Sequence, residues 1–251
     1  PGDRLVSVDG IPFTSAGAFR GLAGKVTYVA FQRDGGREQI AALVPVRQTA
    51  VDAFAAATGA SARVIEHKGH RIGYVHLWCC THRQVLQQLE HAVRVKLADT
   101  DGLVLDLRDG YGGSPGWFDY VFFQPELTIR VRTRDGHTAL ERYGYGNRPL
   151  AAIINSGSRS AKEYLAYELK KTGRATLVGS TTAGYFLGAG AEAIGDDGLL
   201  MFPASDLLLD GQRLEGVGVA PHIAVDPVAT YSPDDSQVRA AVDEVAKRLR
   251  T

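Results

Sequence analysis

The run Asn155-Ser156-Gly157-Ser158-Arg159-Ser160-Ala161-Lys162-Glu163 lies between two segments of opposite pattern. Before it stands Leu150-Ala151-Ala152-Ile153-Ile154, continuously apolar; after it, Ala161 to Lys171 alternates apolar and charged residues. A short apolar run, a small-residue turn and a helically periodic run predict strand, turn and helix. Small residues let the backbone bend sharply, and a hydroxyl at the start of a helix stands where the positive helix end favours an anion. These residues alone leave two roles open. Ser158 or Ser160 is an N-cap, or Ser160 is an exposed nucleophile.

Working outward, the same alternation continues on both sides. Gly102 to Arg108 is almost unbroken in its apolar character, as in a central strand covered on both faces. It ends in Asp109-Gly110-Tyr111-Gly112-Gly113-Ser114, followed by a predicted helix over Pro115 to Phe122 that begins where proline is tolerated best. Upstream, Arg63 to His67 and Arg71 to Trp78 predict a hairpin turned at Lys68-Gly69, and Val51 to Thr58 reads as a short helical or linker piece. Thr81 to Leu97 spaces Val85, Leu89, Ala92, Val93 and Leu97 as one face of a helix. Downstream, Ala151 to Asn155, Ser160 to Lys171 and Ala175 to Gly179 give strand, helix, strand, which argues for an α/β layer with parallel crossovers. Thr128 to Thr133 and His137 to Arg142 predict a second hairpin, Gly198 to Leu209 is strand-rich, Val217 to Val225 is a final strand, and Asp234 to Arg250 a C-terminal helix. At the N-terminus, Pro1 to Gly10 predicts a strand between turns, with a short helix near Ser15 to Leu22. Strands over Lys25 to Arg33 and Glu38 to Val46 follow, joined at Asp34-Gly35-Gly36.

Composition narrows the function classes. The 251 residues are 45% hydrophobic, enough for a real buried core, and 28 basic residues balance 28 acidic ones. That balance argues against a nucleic-acid partner and against a membrane-surface role. No apolar run approaches the roughly 20 residues of a membrane helix, so no membrane insertion is expected. The two cysteines, Cys79 and Cys80, are neighbours and poor partners for one disulfide; they read as a buried strand end. The seven histidines are scattered, and nothing in the spacing calls for a metal or an organic cofactor.

Three glycine-bearing turns follow strands: Gly110 to Gly113, Ser156 to Ser160, and Thr182-Ala183-Gly184. In open α/β sheets ligand sites gather beyond the carboxyl ends of the strands, so these turns are candidates to meet. Acyl transfer there requires a nucleophile, backbone N–H groups aimed at the developing oxyanion, and a base. Ser160 suits the first role, and Gly112 and Gly113, whose amides no side chain shields, suit the second.

Two resemblances sharpen this. Pro1 to Gly10 nearly reproduces the P-G-D-x-I-x-x-V-x-G signature of the second half of a PDZ domain, with Leu5 for the usual Ile. The first half of such a module is lacking, which leads us to expect further sequence ahead of Pro1. Across the whole chain, the ordered motifs resemble the C-terminal processing (tail-specific) serine peptidase family. These are that signature, L-D-L-R-x-x-x-G-G at Leu105 to Gly113, N-x-x-S-x-S-x-x-E at Asn155 to Glu163, V-G-x-x-T-x-G at Val178 to Gly184 and E-G-x-G-V-x-P at Glu215 to Pro221.

The resemblance implies a crotonase/ClpP-like α/β core over residues 48–251 with an N-terminal partial PDZ-like β subdomain over 1–47. It also implies a serine endopeptidase acting on peptide or protein substrates, extracytoplasmic (periplasmic or secreted), without cofactor or metal. Carried over by motif, Ser160 is the nucleophile, Gly112 and Gly113 lie at the oxyanion hole, and Glu163 supports Ser160. The family lysine that serves as base would stand at position 185, which is Tyr185, so the chain is nearer the lysine-free tricorn-like and nisin-resistance-like branches. In those branches a histidine ahead of the PDZ module acts with a glutamate that Glu215 matches. His76 and His82 are in-chain alternatives for the base. His222 replaces the usual Asp after G-V-x-P and reads as a surface change. The competing expectation is a catalytically inactive relative that binds a peptide or apolar ligand in the same cleft.

Overall fold

A computed structural model of the chain describes residues 3–33, 35–114, 116–125, 127–143, 145, 148–195 and 198–250. They form two compact units, one of Pro1–Ala50 with Pro227–Asp235, the other of Val51–Asp226 with Ser236–Thr251.

In the first unit, β1 (Arg4–Val8), β2 (Ile11–Pro12), β3 (Thr27–Gln32) and β4 (Glu38–Leu43) form an antiparallel sheet in the order β2-β1-β3-β4. Asp9 and Gly10, at φ +47° and +79°, close the β1–β2 turn. The helix predicted over Ser15 to Leu22 is a single 3-10 turn, Ala16–Phe19, capped by the Ser15 hydroxyl. Gly21, at φ +78°, prevents its continuation. Asp34, placed by the sequence in the β3–β4 turn, lies outside the described residues.

The second unit holds α1 (Ala50–Ser61), β5 (Arg63–His67), β6 (His70–His76), β7 (Cys79–Cys80) and α2 (Arg83–His91), which runs into a π-helical turn at Ala92–Lys96. Next come β8 (Gly102–Asp106), β9 (Tyr111–Gly113), α3 (Tyr120–Phe123), the hairpin β10 (Leu127–Arg132) and β11 (Thr138–Tyr143), β12 (Leu150–Ile154), α4 (Ala161–Lys171) and β13 (Thr176–Gly179). It ends with β14 (Gly188–Ile194), β15 (Gly198–Ser205), β16 (Leu208–Leu209), β17 (Gln212–Arg213), β18 (Ile223–Ala224) and α5 (Ser236–Arg248).

Six strands in the order β18-β13-β12-β8-β6-β5 make the central sheet, parallel except for β5, which pairs antiparallel with β6 across Lys68-Gly69. Every residue of β8 and of β12 is buried, as their unbroken apolar sequence requires. Alternate side chains feed two cores. Val75, Leu103, Leu105, Ala152, Ile154 and Leu177 pack with α2 and α4, while Ile72, Tyr74, Val104, Ala151, Ile153 and Val178 pack beneath Ala241, Val242, Val245 and Ala246 of α5. The parallel strands therefore all end at one edge, where β6, β8, β12 and β13 release their loops.

Four segments differ from the sequence expectation. The helix predicted over Pro115 to Phe122 is only the turn α3, capped by the Asp119 carboxylate; Pro115 lies outside the described residues. Trp78 falls beyond β6, in the bend that leads to β7. The strand expected over Val217 to Val225 shrinks to β18, because Gly216 and Gly218, at φ +75° and +72°, turn the chain first. And β14, Gly-Ala-Gly-Ala-Glu-Ala-Ile, was not foreseen: it lacks β-branched residues until its end and is a strand only through its pairing with β15.

Candidate active site

Ser160 stands where β12 gives way to α4, with φ +55° and ψ −124°, a conformation that L-residues adopt only when their surroundings impose it. Those surroundings are its own hydrogen bonds. Its N–H donates to the Tyr185 carbonyl and to Glu163 Oε2, both at 3.0 Å, and its carbonyl accepts the Glu163 amide at 2.8 Å. The alternative serine is excluded from solvent: Ser158 is fully buried and donates its hydroxyl to the Leu107 carbonyl at 2.8 Å. Ser160 is half-buried at the surface of the same loop.

The glycine turn comes to it. A methyl group added to Gly112 would lie 2.9 Å from Ser160 Oγ and 2.5 Å from its Cβ, so the hydroxyl rests directly against this bare backbone. A side chain at Gly113 would point to the other side, where an added methyl would meet the Cys80 carbonyl at 2.0 Å. The turn is laid along Trp78 to Cys80: Tyr111 N–H donates to Trp78 O, Ser114 N–H to Cys80 O, and β7 runs parallel to β9. Both cysteines are free and buried. Asn155 joins the two loops, giving Nδ2–H to Asp109 Oδ1 at 3.0 Å and taking the Asp109 amide at 3.1 Å.

Glu163 is fully buried and ties in the third turn. Oε1 accepts the Thr182 hydroxyl (2.6 Å) and Gly184 N–H (2.7 Å), and Oε2 the amides of Ser160 and Tyr185 (3.0 Å each). Glu215 is half-buried and accepts the amides of Phe186 and Leu187 on Oε2. The Tyr185 side chain is 64% exposed, so at the place of the family lysine only the main chain engages Ser160. His82 is exposed at the start of α2, its Nδ1 3.0 Å from Thr81 Oγ1. His76 is buried, stacked on Trp78, with Nε2 donating to the Arg108 carbonyl at 2.8 Å; burial pulls its pKa below the ordinary value. His222 is exposed and its Nδ1 accepts the Leu177 amide.

Beneath the turn lies a charged network to which sequence reasoning assigned no role. Asp106 and Arg108 are both fully buried, joined through Nη2–Oδ2 at 2.6 Å; Tyr74 donates its hydroxyl to Asp106, and Arg108 Nη1 reaches Gln237 on α5. Burial alone would raise the Asp106 carboxyl; His76 and the Arg108 guanidinium outweigh it and hold the group at about 2. Lys162, also fully buried, donates Nζ–H to the carbonyls of Arg108 and Asp109. One signal was present: Lys162, Leu165, Ala166 and Leu169 share a helical face, which put a lysine on the apolar stripe of α4.

An α/β sheet whose loops bring together a strained serine and a glycine turn defines a chain built like the serine hydrolases. The match is specific: the chain belongs to peptidase family S41, whose model covers residues 71–225. It is 30% identical over 189 residues to a carboxyl-terminal-processing protease of Synechocystis sp., covering 70% of this chain and 44% of that protein. It is 23% identical over 256 residues to the carboxy-terminal processing protease CtpB of Bacillus subtilis, covering 95% of this chain and 52% of the relative. The chain thus spans about half the length of these curated relatives. Among solved structures, tricorn protease superposes with a TM-score of 0.59 at 20% identity, covering 100% of this chain and 25% of tricorn, a likeness of fold.

Proposed function

We propose that this chain carries the active site of a serine endopeptidase of the tail-specific, C-terminal processing class, which hydrolyses peptide bonds by acylation of Ser160. The observation that carries this is the seating of Ser160 Oγ against the side-chain-free backbone of Gly112. In this reading Ser160 attacks the scissile carbonyl, and the amides of Gly112 and Gly113 receive the oxyanion, each such donor lowering the barrier by about 3 kcal/mol. Glu163 acts as a support rather than a base, because the amides of Ser160, Gly184 and Tyr185 and the Thr182 hydroxyl occupy both its carboxylate oxygens, while Glu215 supports the segment after Tyr185 by accepting the Phe186 and Leu187 amides on Oε2. His76 is set aside as a base because its Nε2–H is committed to the Arg108 carbonyl within the core.

Residues 48–251 are read as a crotonase/ClpP-like core and 1–47 as a partial PDZ-like module, which supports strand addition of a peptide substrate. The antiparallel sheet β2-β1-β3-β4 and the signature at Pro1 to Gly10 support the latter. No described helix is long and apolar enough to cross a membrane. An extracytoplasmic location is proposed on family grounds.

The test is a fluorophosphonate probe on the full chain, with mass-spectrometric mapping of the adduct and a peptide-hydrolysis assay. Ser160 is expected to carry the label, and Ser160→Ala to lose both label and hydrolysis. Hydrolysis unaffected by Ser160→Ala would overturn the assignment of Ser160, and a wild type with neither label nor hydrolysis would overturn the peptidase reading and favour ligand binding in the same cleft.

A further inference from the structure

Lys162 is a costly residue for its place in the second unit. Its side chain is fully buried, and it sits in the first turn of α4, where the helix dipole opposes a positive charge. An aliphatic side chain would pack there without either cost, and replacing buried charges by apolar residues is often neutral or stabilising. What Lys162 contacts gives the reason for a cation. Its ammonium donates to the carbonyls of Arg108 and Asp109, and a methyl group added to Gly110 would come within 3.1 Å of Nζ. The next carbonyl, that of Gly110, is taken by Arg159 Nη2 at 2.9 Å, and the Arg108 carbonyl is shared with His76 Nε2. Three consecutive carbonyls, those of Arg108, Asp109 and Gly110, are thus held by cationic or imidazole donors, ending one residue ahead of Gly112. Fixing a carbonyl fixes its peptide plane and the N–H of the next residue, here those of Asp109 and Gly110 through Lys162 and that of Tyr111 through Arg159.

We propose that Lys162 is a positioning residue for the acyl-transfer site: its buried ammonium sets the peptide planes that follow Arg108 and Asp109 and so anchors the start of the turn that carries the Gly112–Gly113 amides past Ser160. The role rests on the serine-peptidase reading above, and it adds positive potential under the place where acyl transfer develops an oxyanion. Lys162 acts through the turn and touches no substrate.

The device is titratable. Burial lowers the Lys162 pKa to about 8, with Cys80, Asp106, Cys79 and Asp109 opposing the shift. The groups facing it from the packed elements are His76 on β6, Cys79 and Cys80 on β7, and Asp106, Arg108 and Asp109 on β8 and its turn. Burial raises both thiols, Cys80 to about 12, and pulls His76 below its ordinary value, so Lys162 is the group of this set that changes charge as pH rises through about 8. The ammonium is present below that pH and lost above it.

Two measurements on the full chain test this. The first follows the 13C carbonyl shifts of Arg108 and Asp109 and the 15N shifts of Gly110, Gly112 and Gly113 from pH 6 to 10, in the wild type and in Lys162→Met. A common step near pH 8, present in the wild type and absent from the variant, is the expected result; no such step in the wild type overturns the proposal. The second compares the rate of Ser160 labelling by a fluorophosphonate. Lys162→Met is expected to melt at or above the wild-type temperature yet label about 10-fold more slowly, with Lys162→Arg recovering part of the rate. Wild-type labelling in Lys162→Met at every pH also overturns the proposal. If the wild type itself never labels, the serine-peptidase reading falls, and the shift titration still decides whether Lys162 governs the turn.

Discussion

Ser160 adopts a backbone conformation that few serines tolerate, held by the Tyr185 carbonyl and by one carboxylate. Glu163, three residues into the helix, is fully buried and accepts four donors from two separate turns: the Ser160 amide from one, and the Thr182 hydroxyl and the amides of Gly184 and Tyr185 from the other. A buried donor without its acceptor costs about 1–3 kcal/mol. Glu163→Ala takes the acceptor from three of them and leaves the Ser160 amide only the Tyr185 carbonyl, so a destabilisation of about 3 kcal/mol or more is expected, read as a lower urea midpoint. Glu163→Gln keeps one acceptor oxygen but turns an NH2 group towards two donors, and an intermediate loss of about 2 kcal/mol is expected. In both variants Ser160 should label slowly even where the chain remains folded, since its φ of +55° would no longer be held. A Glu163→Gln chain with wild-type midpoint and labelling rate would show that the Tyr185 carbonyl alone suffices.

The decisive element is a turn rather than a helix or strand. Residues 109–114 lie along Trp78 to Cys80 so closely that glycine is the only residue able to fit at two places. A methyl group would meet the Trp78 carbonyl at 2.0 Å from Gly110 and the Cys80 carbonyl at 2.0 Å from Gly113, the latter at φ +142°. Backbone cannot yield as a flexible side chain can, so Gly113→Ala must push the turn off β7. A cost of about 3 kcal/mol and a large loss of Ser160 labelling are expected. Gly116, at φ +82° with nothing within 4 Å, serves as the control; Gly116→Ala should cost about 1 kcal/mol and leave labelling intact. Equal losses in the two variants would mean that only backbone strain, and not contact with β7, is at stake. The neighbouring thiols fit the same geometry, being small side chains beneath a turn that leaves little room.

At the scale of the whole molecule the two units differ in how much they bury. The sheet of the second unit is covered on both faces, and β8 and β12 are buried along their entire length. Among the described residues of the first unit the buried apolar ones are Val8, Val29 and Ala30, while Ile11, Tyr28, Ile40 and Val46 are all more than half exposed. Opening free energy follows local burial, so the amides of β1, β3 and β4 are expected to exchange with deuterium well before those of β8 and β12. Equal protection in the two sets, followed by mass spectrometry, would contradict this.

Much of the second unit was legible in the sequence because its signals are local. An unbroken apolar run such as Leu103 to Leu105, a small-residue turn and a periodic helix each declare themselves within a dozen residues, and the order of motifs pointed to Ser160, Glu163, Gly112 and Gly113. Weak local signals failed: the glycine- and alanine-rich β14 depends on its pairing with β15, and the strand expected from Val217 was cut short by two positive-φ glycines. What the sequence by itself determined is the strand-turn-helix grammar and the residues able to do chemistry, because periodicity and turn chemistry act between near neighbours. Only the tertiary structure decided that Ser158 is a buried staple while Ser160 meets Gly112, that His76 is committed to the core, and that Lys162 lies under the glycine turn. Those outcomes join residues from β6, the turn after β8, the turn after β12 and α4, and contacts between distant segments are made only when the sheet is assembled.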